Sequence, residues 1–429
     1  MRYEKKMIKK RVAFFIRAYN DIDHFVPLIV EFIKKNENPL VVLNSDIEFE
    51  MDYRIKYIST LGKLEIYREI DFDYIKSTQR NSFLSKINSK LYSIRRNRKG
   101  VIGRIYRKLF FNCMKQMDFL REKGISSCVF EWSTPFARGE IVEKYFIAAK
   151  GMGLTTFAIP HGCNIFINSD VTTGYRGSTI KGKFVDQSDT QYFDYYIFQN
   201  PIRRDGWIKW GFSPIKTQAW GSLRFYPEWA DINREICPKF DPGDEYNKKV
   251  KVVFMQFQKE YNVNNKLVLD TLKQVSQIEG VALAVKDATR EGKEFYDRNK
   301  VSGELGDSLI GWYGNEVHSP SLISWADCVI VIGGSIGVEV MLQNKHLIYP
   351  VFLNTNKTMY EYYDAALCVD NVGQIKSYLD DLKAGKKLKT PSGVEMMLKE
   401  IIYAGKDPYD VPMKYYDSIS NNFLSYMED

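Results

Sequence analysis

Residues 327–350, DCVIVIGGSIGVEVMLQNKHLIYP, decide how the rest of the chain is read. CVIVI is an unbroken apolar run of the length and composition of a strand covered on both faces, as in a parallel sheet. It runs into Gly333-Gly334-Ser335, and VEVMLQ continues at helical spacing, so a strand turns directly into a helix. Glycines at such a bend let the backbone come close to a ligand. N–H groups at a helix start, reinforced by the helix dipole, receive an anion. Ser335 adds a hydroxyl donor. Glu339 lies one turn on, at i, i+4 from Ser335, where a carboxylate accepts from ribose hydroxyls. The same residues also suit an ordinary tight turn with a solvated glutamate, because a short Gly-Gly-Ser is a weak motif by itself.

Outward from this stretch the pattern repeats. VKVVFMQF (250–257), VALAVKD (281–287) and HLIYPV (346–351) read as strands, and SLIGWYG (308–314) as a short strand or turn. NKLVLDTLKQVSQIEG, SPSLISWA and NVGQIKSYLDDLKAG read as helices between or after them. In the first half RVAFFI (11–16), PLVVLNSD, SSCVFEWS, TTFAIPHG and DYYIFQN are strand-like, and FVPLIVEFIKK and GEIVEKYFIAAKGMG are helix-like. Alternating strands and helices predict an α/β fold with parallel sheets. Between the halves, 226–247 is rich in Pro, Asp and Gly and reads as a linker. The expected organisation is an α/β domain over 1–225, the linker, a second α/β domain over 248–400 and a helical tail over 401–429.

Length and composition agree. At about 150 residues per domain, 429 residues give two or three domains. Hydrophobic residues at 45% and charged residues at 27% exclude a disordered chain. The net charge of +8 is too dilute over this length to argue for nucleic acid. It permits anionic ligands or an anionic membrane surface. The six cysteines stand singly, without a C-x-x-C pair, and there are only four histidines, so neither a disulfide scaffold nor a metal site is expected. No stretch approaches the roughly 18 apolar residues of a membrane span, and the basic N-terminus lacks a signal-peptide pattern. A soluble cytoplasmic protein is the expectation.

Other residues suit chemistry at strand ends, where open α/β sheets bind ligands. The segment RAYNDIDH (17–24) follows the first strand and offers Asp21, Asp23 and His24, although an aspartate there serves equally as a helix cap. Glu131 ends the strand VFE. His161, in Ile159-Pro160-His161-Gly162, is a general base toward a hydroxyl, a donor to phosphate or a structural side chain. Lys286 ends VALAVK and is a candidate for neutralising phosphate, with Arg290 as the alternative. Residues 85–111 interleave Lys and Arg with Tyr, Leu and Ile, a pattern that fits either a solvated helix face or peripheral contact with an anionic membrane.

Strand, Gly-Gly-Ser, helix and glutamate in the second half resemble the nucleotide site of GT-B-type glycosyltransferases, an arrangement shared with non-hydrolysing UDP-sugar 2-epimerases. Ile159-Pro160-His161-Gly162 resembles the His-Gly motif of bacterial capsule-polysaccharide transferases and CDP-glycerol glycerophosphotransferases. Trp220-Gly221-Ser222-Leu223-Arg224 resembles their Gly-Ser-x-Arg segment. The resemblance covers most of the chain in layout but only a few short segments in motif. Where related transferases carry a His-Pro pair near Lys286, this chain has Asp287-Ala288.

The resemblance implies a GT-B architecture of two facing Rossmann-like domains with parallel sheets and an interdomain cleft, 1–225 being the acceptor-side domain and 248–400 the nucleotide-binding domain. It implies a metal-independent glycosyltransferase that moves a sugar from a CMP-, CDP- or UDP-linked donor. The acceptor would be a surface polysaccharide or glycolipid of a bacterial cell envelope, such as a capsule, made at the inner face of the membrane. Gly333, Gly334, Ser335, Glu339, Lys286 and Arg224 would hold the donor, and His161, Asp21, Asp23 and Glu131 are the catalytic candidates. No cofactor, no metal and no nucleic-acid partner is implied. A glycerophosphotransferase, a UDP-sugar 2-epimerase and a non-catalytic nucleotide-sugar-binding protein stand as alternatives.

Overall fold

A computed structural model describes residues 11–17, 19–44, 51–69, 113–131, 140–160, 162–168, 186–257, 261–287 and 301–421. The chain divides into two compact units. Unit 1 comprises Met1–His161, Thr190–Ile197 and Met413–Asp429; unit 2 comprises Gly162–Asp189 and Phe198–Pro412. Residues 226–247, read from composition as a linker, lie in unit 2 and include the helix Pro227–Ile236, whose Trp229 is buried.

The first sheet is built from β1 (Arg11–Ile16), β2 (Leu40–Asn44), β3 (Glu65–Glu69), β4 (Ile125–Glu131), β5 (Thr155–Ile159), β6 (Tyr195–Phe198) and β7 (Thr217–Ala219). Their order is β3-β2-β1-β4-β5-β6-β7, and the pairings from β3 through to β6 are parallel. The run RVAFFI is buried from Val12 onward because β1 lies between β2 and β4 and is covered on both faces. Successive side chains of a strand point to opposite faces. Phe14 accordingly meets Phe25 and Phe32 of the helix Tyr19–Lys34, while Phe15 stacks on Phe130 and meets Tyr145 of the helix Glu140–Gly151. The tail returns to unit 1: Ser127 Oγ donates to the Ile419 carbonyl at 3.3 Å, and the rings of Phe32 and Tyr416 lie 4.9 Å apart.

Asp194 joins β5 to the chain entering β6. Its carboxylate accepts from the Thr156 N–H and hydroxyl at 2.9 and 2.7 Å and pairs with Lys150. Burial pushes this carboxyl up, but the bonds from Lys150 and Thr156 outweigh it and leave the group below its ordinary value. A depressed carboxyl stabilises the fold above the ordinary carboxylate pKa, and that contribution is lost as pH falls through the lowered one. Asp194→Asn should therefore lower the melting temperature at neutral pH, with the difference from wild type shrinking below about pH 4. Thermal melts across pH check this, and a difference independent of pH contradicts it.

Unit 2 holds the second sheet: β8 (Val250–Met255), β9 (Val281–Lys286), β10 (Leu309–Tyr313), β11 (Cys328–Val331), β12 (His346–Pro350) and β13 (Leu367–Val369). Its order is β10-β9-β8-β11-β12-β13, parallel throughout. Val252, Phe254, Leu283 and Ile330 form a core with Val268, Leu272 and Val275 of the helix Asn265–Ser276 and with Ile375 and Leu379 of the helix Val372–Lys383. The Asn264 side chain caps the first of these helices by accepting from the Leu267 N–H.

The α/β fold with two parallel sheets matches the sequence-based expectation. Three strands not anticipated from sequence, β3, β7 and β13, all lie at sheet edges. An edge strand has one neighbour and can stay short or polar, so EIYRE, TQA and LCV carry no buried-strand signal. Among the described residues, no helix is long and apolar enough to cross a membrane.

Candidate functional site

Each sheet reverses its strand order once, between β1 and β4 in the first and between β8 and β11 in the second. Ligands of open α/β sheets bind outside the carboxyl ends of the strands at such a reversal. In unit 2 the reversal is bounded by Gln256-Phe257, which follow β8, and Gly333-Gly334-Ser335, just past β11. Gly334 has φ of 83°, the left-handed region that favours glycine. A Cβ there would lie 2.9 Å from the Phe257 ring, and one on Gly333 would lie 3.0 Å from it. The ring thus packs directly on the glycine backbone. Ser335 is the N-cap of the helix Ile336–Leu342, yet its side chain makes no capping bond.

Tyr360 braces this turn from within. Its hydroxyl donates to the Gly334 carbonyl at 2.9 Å. Burial pushes the phenol well above its ordinary pKa, so it stays protonated and keeps its donor role. Gly337 has to be small, since a Cβ there would meet the Tyr360 oxygen at 2.5 Å. The partly exposed stretch is Gly334, Ser335 and Ile336.

Arg224 reaches the same helix. Its guanidinium pairs with the Glu339 carboxylate at 3.1 Å, both side chains being largely buried. The Trp220–Arg224 segment is pinned around it: Ser222 N–H donates to the Ile402 carbonyl at 2.7 Å, and the Tyr403 hydroxyl donates to the Phe225 carbonyl at 2.9 Å. Gly221 has φ of 97°, and a Cβ there would meet Val411 at 2.9 Å. Arg224 and Arg203 also act on the Cys163 thiol, but burial dominates and pushes it up to about 12. Lys286, the last residue of β9, is buried and its amine donates to the Gly314 carbonyl beyond β10. Unit 2 thus brings Arg224 and Glu339 together beside the glycine turn, and places Lys286 two strands from β11.

In unit 1 the reversal lies between Arg17, which follows β1, and Glu131, which ends β4. The two side chains form an ion pair, and Asp21 joins them. Asp21 accepts from the Arg17 N–H at 2.8 Å, with the guanidinium 3.8 Å from the same carboxylate oxygen. Arg17, Asp21 and Glu131 are 9%, 1% and 5% exposed, so this is a buried charged cluster at a strand-end crevice. Asp23 lies apart from it, paired with Arg54, which is also held by Asp52 at 2.6 Å. His24 is buried.

His161, Arg290 and the basic stretch 85–111 lie outside the described residues. Sequence reasoning passed over Arg17, Phe257 and Tyr360. Arg17 was open to notice as a charge immediately after a buried strand. Tyr360 gave no such signal, because it meets the turn only through the fold.

No family model matches the chain, and no curated protein matches it. Solved structures do. A putative UDP-N-acetylglucosamine 2-epimerase from Listeria monocytogenes superposes with a TM-score of 0.58 at 9% identity, over 97% of each chain. MnaA from S. aureus, solved with UDP, gives 0.57 at 12% identity over 98% of each chain. A glycosyltransferase from Rickettsia africae gives 0.54 at 11% identity, over 97% of this chain and 99% of its own. Identities this low speak for the fold, and the reversal points described above are its landmarks. With its two parallel sheets, the chain has the GT-B fold common to glycosyltransferases and UDP-N-acetylglucosamine 2-epimerases.

Proposed function

We propose that this protein is a glycosyltransferase that moves a sugar from a nucleotide-activated donor onto a polysaccharide or glycolipid acceptor. The observation that carries the reading is the Arg224–Glu339 pair beside Gly333-Gly334-Ser335 at the strand reversal of unit 2. In this reading the partly exposed glycine turn, Ser335 and the Arg224 guanidinium receive the donor phosphates, and developing charge on the leaving group is stabilised without a metal. Glu339 accepts from the ribose, since a carboxylate has acceptor capacity beyond one guanidinium contact. Lys286 adds positive charge from β9. UDP is the first nucleotide to test because neighbours of this fold were solved with it; CDP and CMP donors follow from the motif resemblance.

The acceptor hydroxyl has to lose a proton as the glycosidic bond to phosphate breaks. Asp21, Asp23, Glu131 and His161 are the proposed bases. Asp21 and Glu131 are oriented by Arg17, whereas Asp23 is turned to Arg54. The proposal places the protein in the cytoplasm, with 85–111 contacting the inner face of the membrane. A second reading, sugar-nucleotide 2-epimerisation, is favoured by the 2-epimerases among the structural neighbours. Incubation with UDP-sugars separates the two: UDP release only with an acceptor supports transfer, and a 2-epimer formed without acceptor supports the second reading.

Glu339→Gln keeps the shape of the side chain and removes its charge. A hydrogen bond to a charged group contributes about 1.5–3 kcal/mol, so titration calorimetry should show nucleotide affinity reduced by about tenfold or more. An affinity equal to wild type removes Glu339 from the site.

A further inference from the structure

Gln256 directly follows β8, at the strand reversal of unit 2, and is 6% exposed. Its backbone N–H continues the ladder to the Lys286 carbonyl at 2.9 Å. The registers Met255↔Lys286 and Met255↔Val331 place it between Asp287 and Ile332, one residue before Gly333. Parallel strands lie about 4.8 Å apart, so a ligand seated on the glycine turn is one strand spacing away. Yet neither the amide oxygen nor the amide nitrogen of Gln256 has a hydrogen-bond partner among the described residues. Its neighbours at these strand ends are bonded: the Trp312 indole donates to Asp287 at 2.6 Å, and Asn354 donates to the Ile332 carbonyl. A buried amide with both ends unpaired is costly, and such groups in native proteins usually mark a place that a partner completes.

We infer that Gln256 is a specificity residue whose amide exchanges hydrogen bonds with hydroxyl groups of a nucleotide sugar. This rests on the reading of unit 2 as the nucleotide-sugar site. An amide offers both an acceptor and two donors. Phosphate oxygens supply only acceptors, whereas a sugar hydroxyl supplies both, so hydroxyls complete Gln256 and phosphate alone does not. The hydroxyls come from the ribose or from the transferred sugar, and comparison of UDP with UDP-N-acetylglucosamine distinguishes these sources.

The test is Gln256→Met, which keeps the length of the side chain and removes its polar ends. An unpaired buried amide is replaced by an apolar group at little cost or with a gain. The free variant should therefore melt at or above the wild-type temperature, while its affinity for UDP-N-acetylglucosamine falls about tenfold or more by calorimetry. An equal loss for UDP assigns the contact to the ribose, and a loss confined to the sugar nucleotide assigns it to the transferred sugar. Both results support the proposal. Gln256→Asn, which keeps the amide on a shorter arm, should recover part of the affinity and covers the case in which the methionine variant does not fold. Unchanged affinities in either variant, with Glu339→Gln still weakened, overturn the role of Gln256 and leave the site standing. Failure of the wild-type protein to bind UDP or any UDP-sugar overturns the site reading and the proposal together.

Discussion

Gly334→Ala should remove nucleotide binding and cost the fold several kcal/mol. The residue has φ of 83°, and an added Cβ would sit 2.9 Å from the Phe257 ring. The left-handed backbone alone costs a residue with a Cβ about 1–2 kcal/mol. Forcing the ring aside adds about 1–3 kcal/mol, the usual range for overpacking. Relief by rotating the peptide moves the Gly334 carbonyl off the Tyr360 hydroxyl, which now holds it at 2.9 Å. Either way the turn is displaced from the position in which Ser335 and the Arg224–Glu339 pair flank it. Urea denaturation should show a loss of about 2–5 kcal/mol, the sum of these two contributions. Calorimetry with UDP should show no measurable binding under conditions in which the variant is folded. Wild-type affinity in a folded Gly334→Ala variant would mean that the nucleotide sits elsewhere.

The second large effect belongs to unit 1. Arg17→Ala leaves Glu131 and Asp21, 5% and 1% exposed, without the guanidinium that binds both. Removing one member of a buried ion pair typically costs about 3–5 kcal/mol, because the remaining charge stays desolvated. The loss should be read where it arises. Amide hydrogen exchange is expected to speed up in β1 and β4, which Arg17 and Glu131 terminate, while β8 and β11 of unit 2 keep their protection. Arg17→Lys should fall between, since an ammonium lacks the planar fork of donors that serves two carboxylates at once. Unchanged exchange in β1 and β4 of the alanine variant would show that the cluster is not a supporting element of unit 1.

The two variants also differ in what they report about function. Gly334 shapes the surface a phosphate would meet. Arg17 instead sets the orientation of Asp21 and Glu131, so its loss should reach turnover through those carboxylates. Arg17→Ala is accordingly expected to retain UDP affinity while losing its catalytic rate.

Much of this protein was legible in its sequence because burial writes itself into composition. RVAFFI, VKVVFM, VALAVK and CVIV are central strands covered on both faces, and such strands must be continuously apolar whatever surrounds them. The α/β class, the turn at Gly333-Gly334-Ser335 and the interest of the strand ends follow from that alone. Edge strands such as EIYRE and LCV escape the same rule because half their surface needs no cover. Tertiary structure decided everything that depends on residues distant in sequence. The Arg224–Glu339 pair spans 115 positions, the Arg17–Glu131 pair 114, and the Tyr360 brace reaches back 26 to Gly334. Local periodicity carries no trace of such pairings, since each partner taken alone looks like an ordinary charged or aromatic side chain. Only the order in which the strands lie beside one another brings them to the same edge.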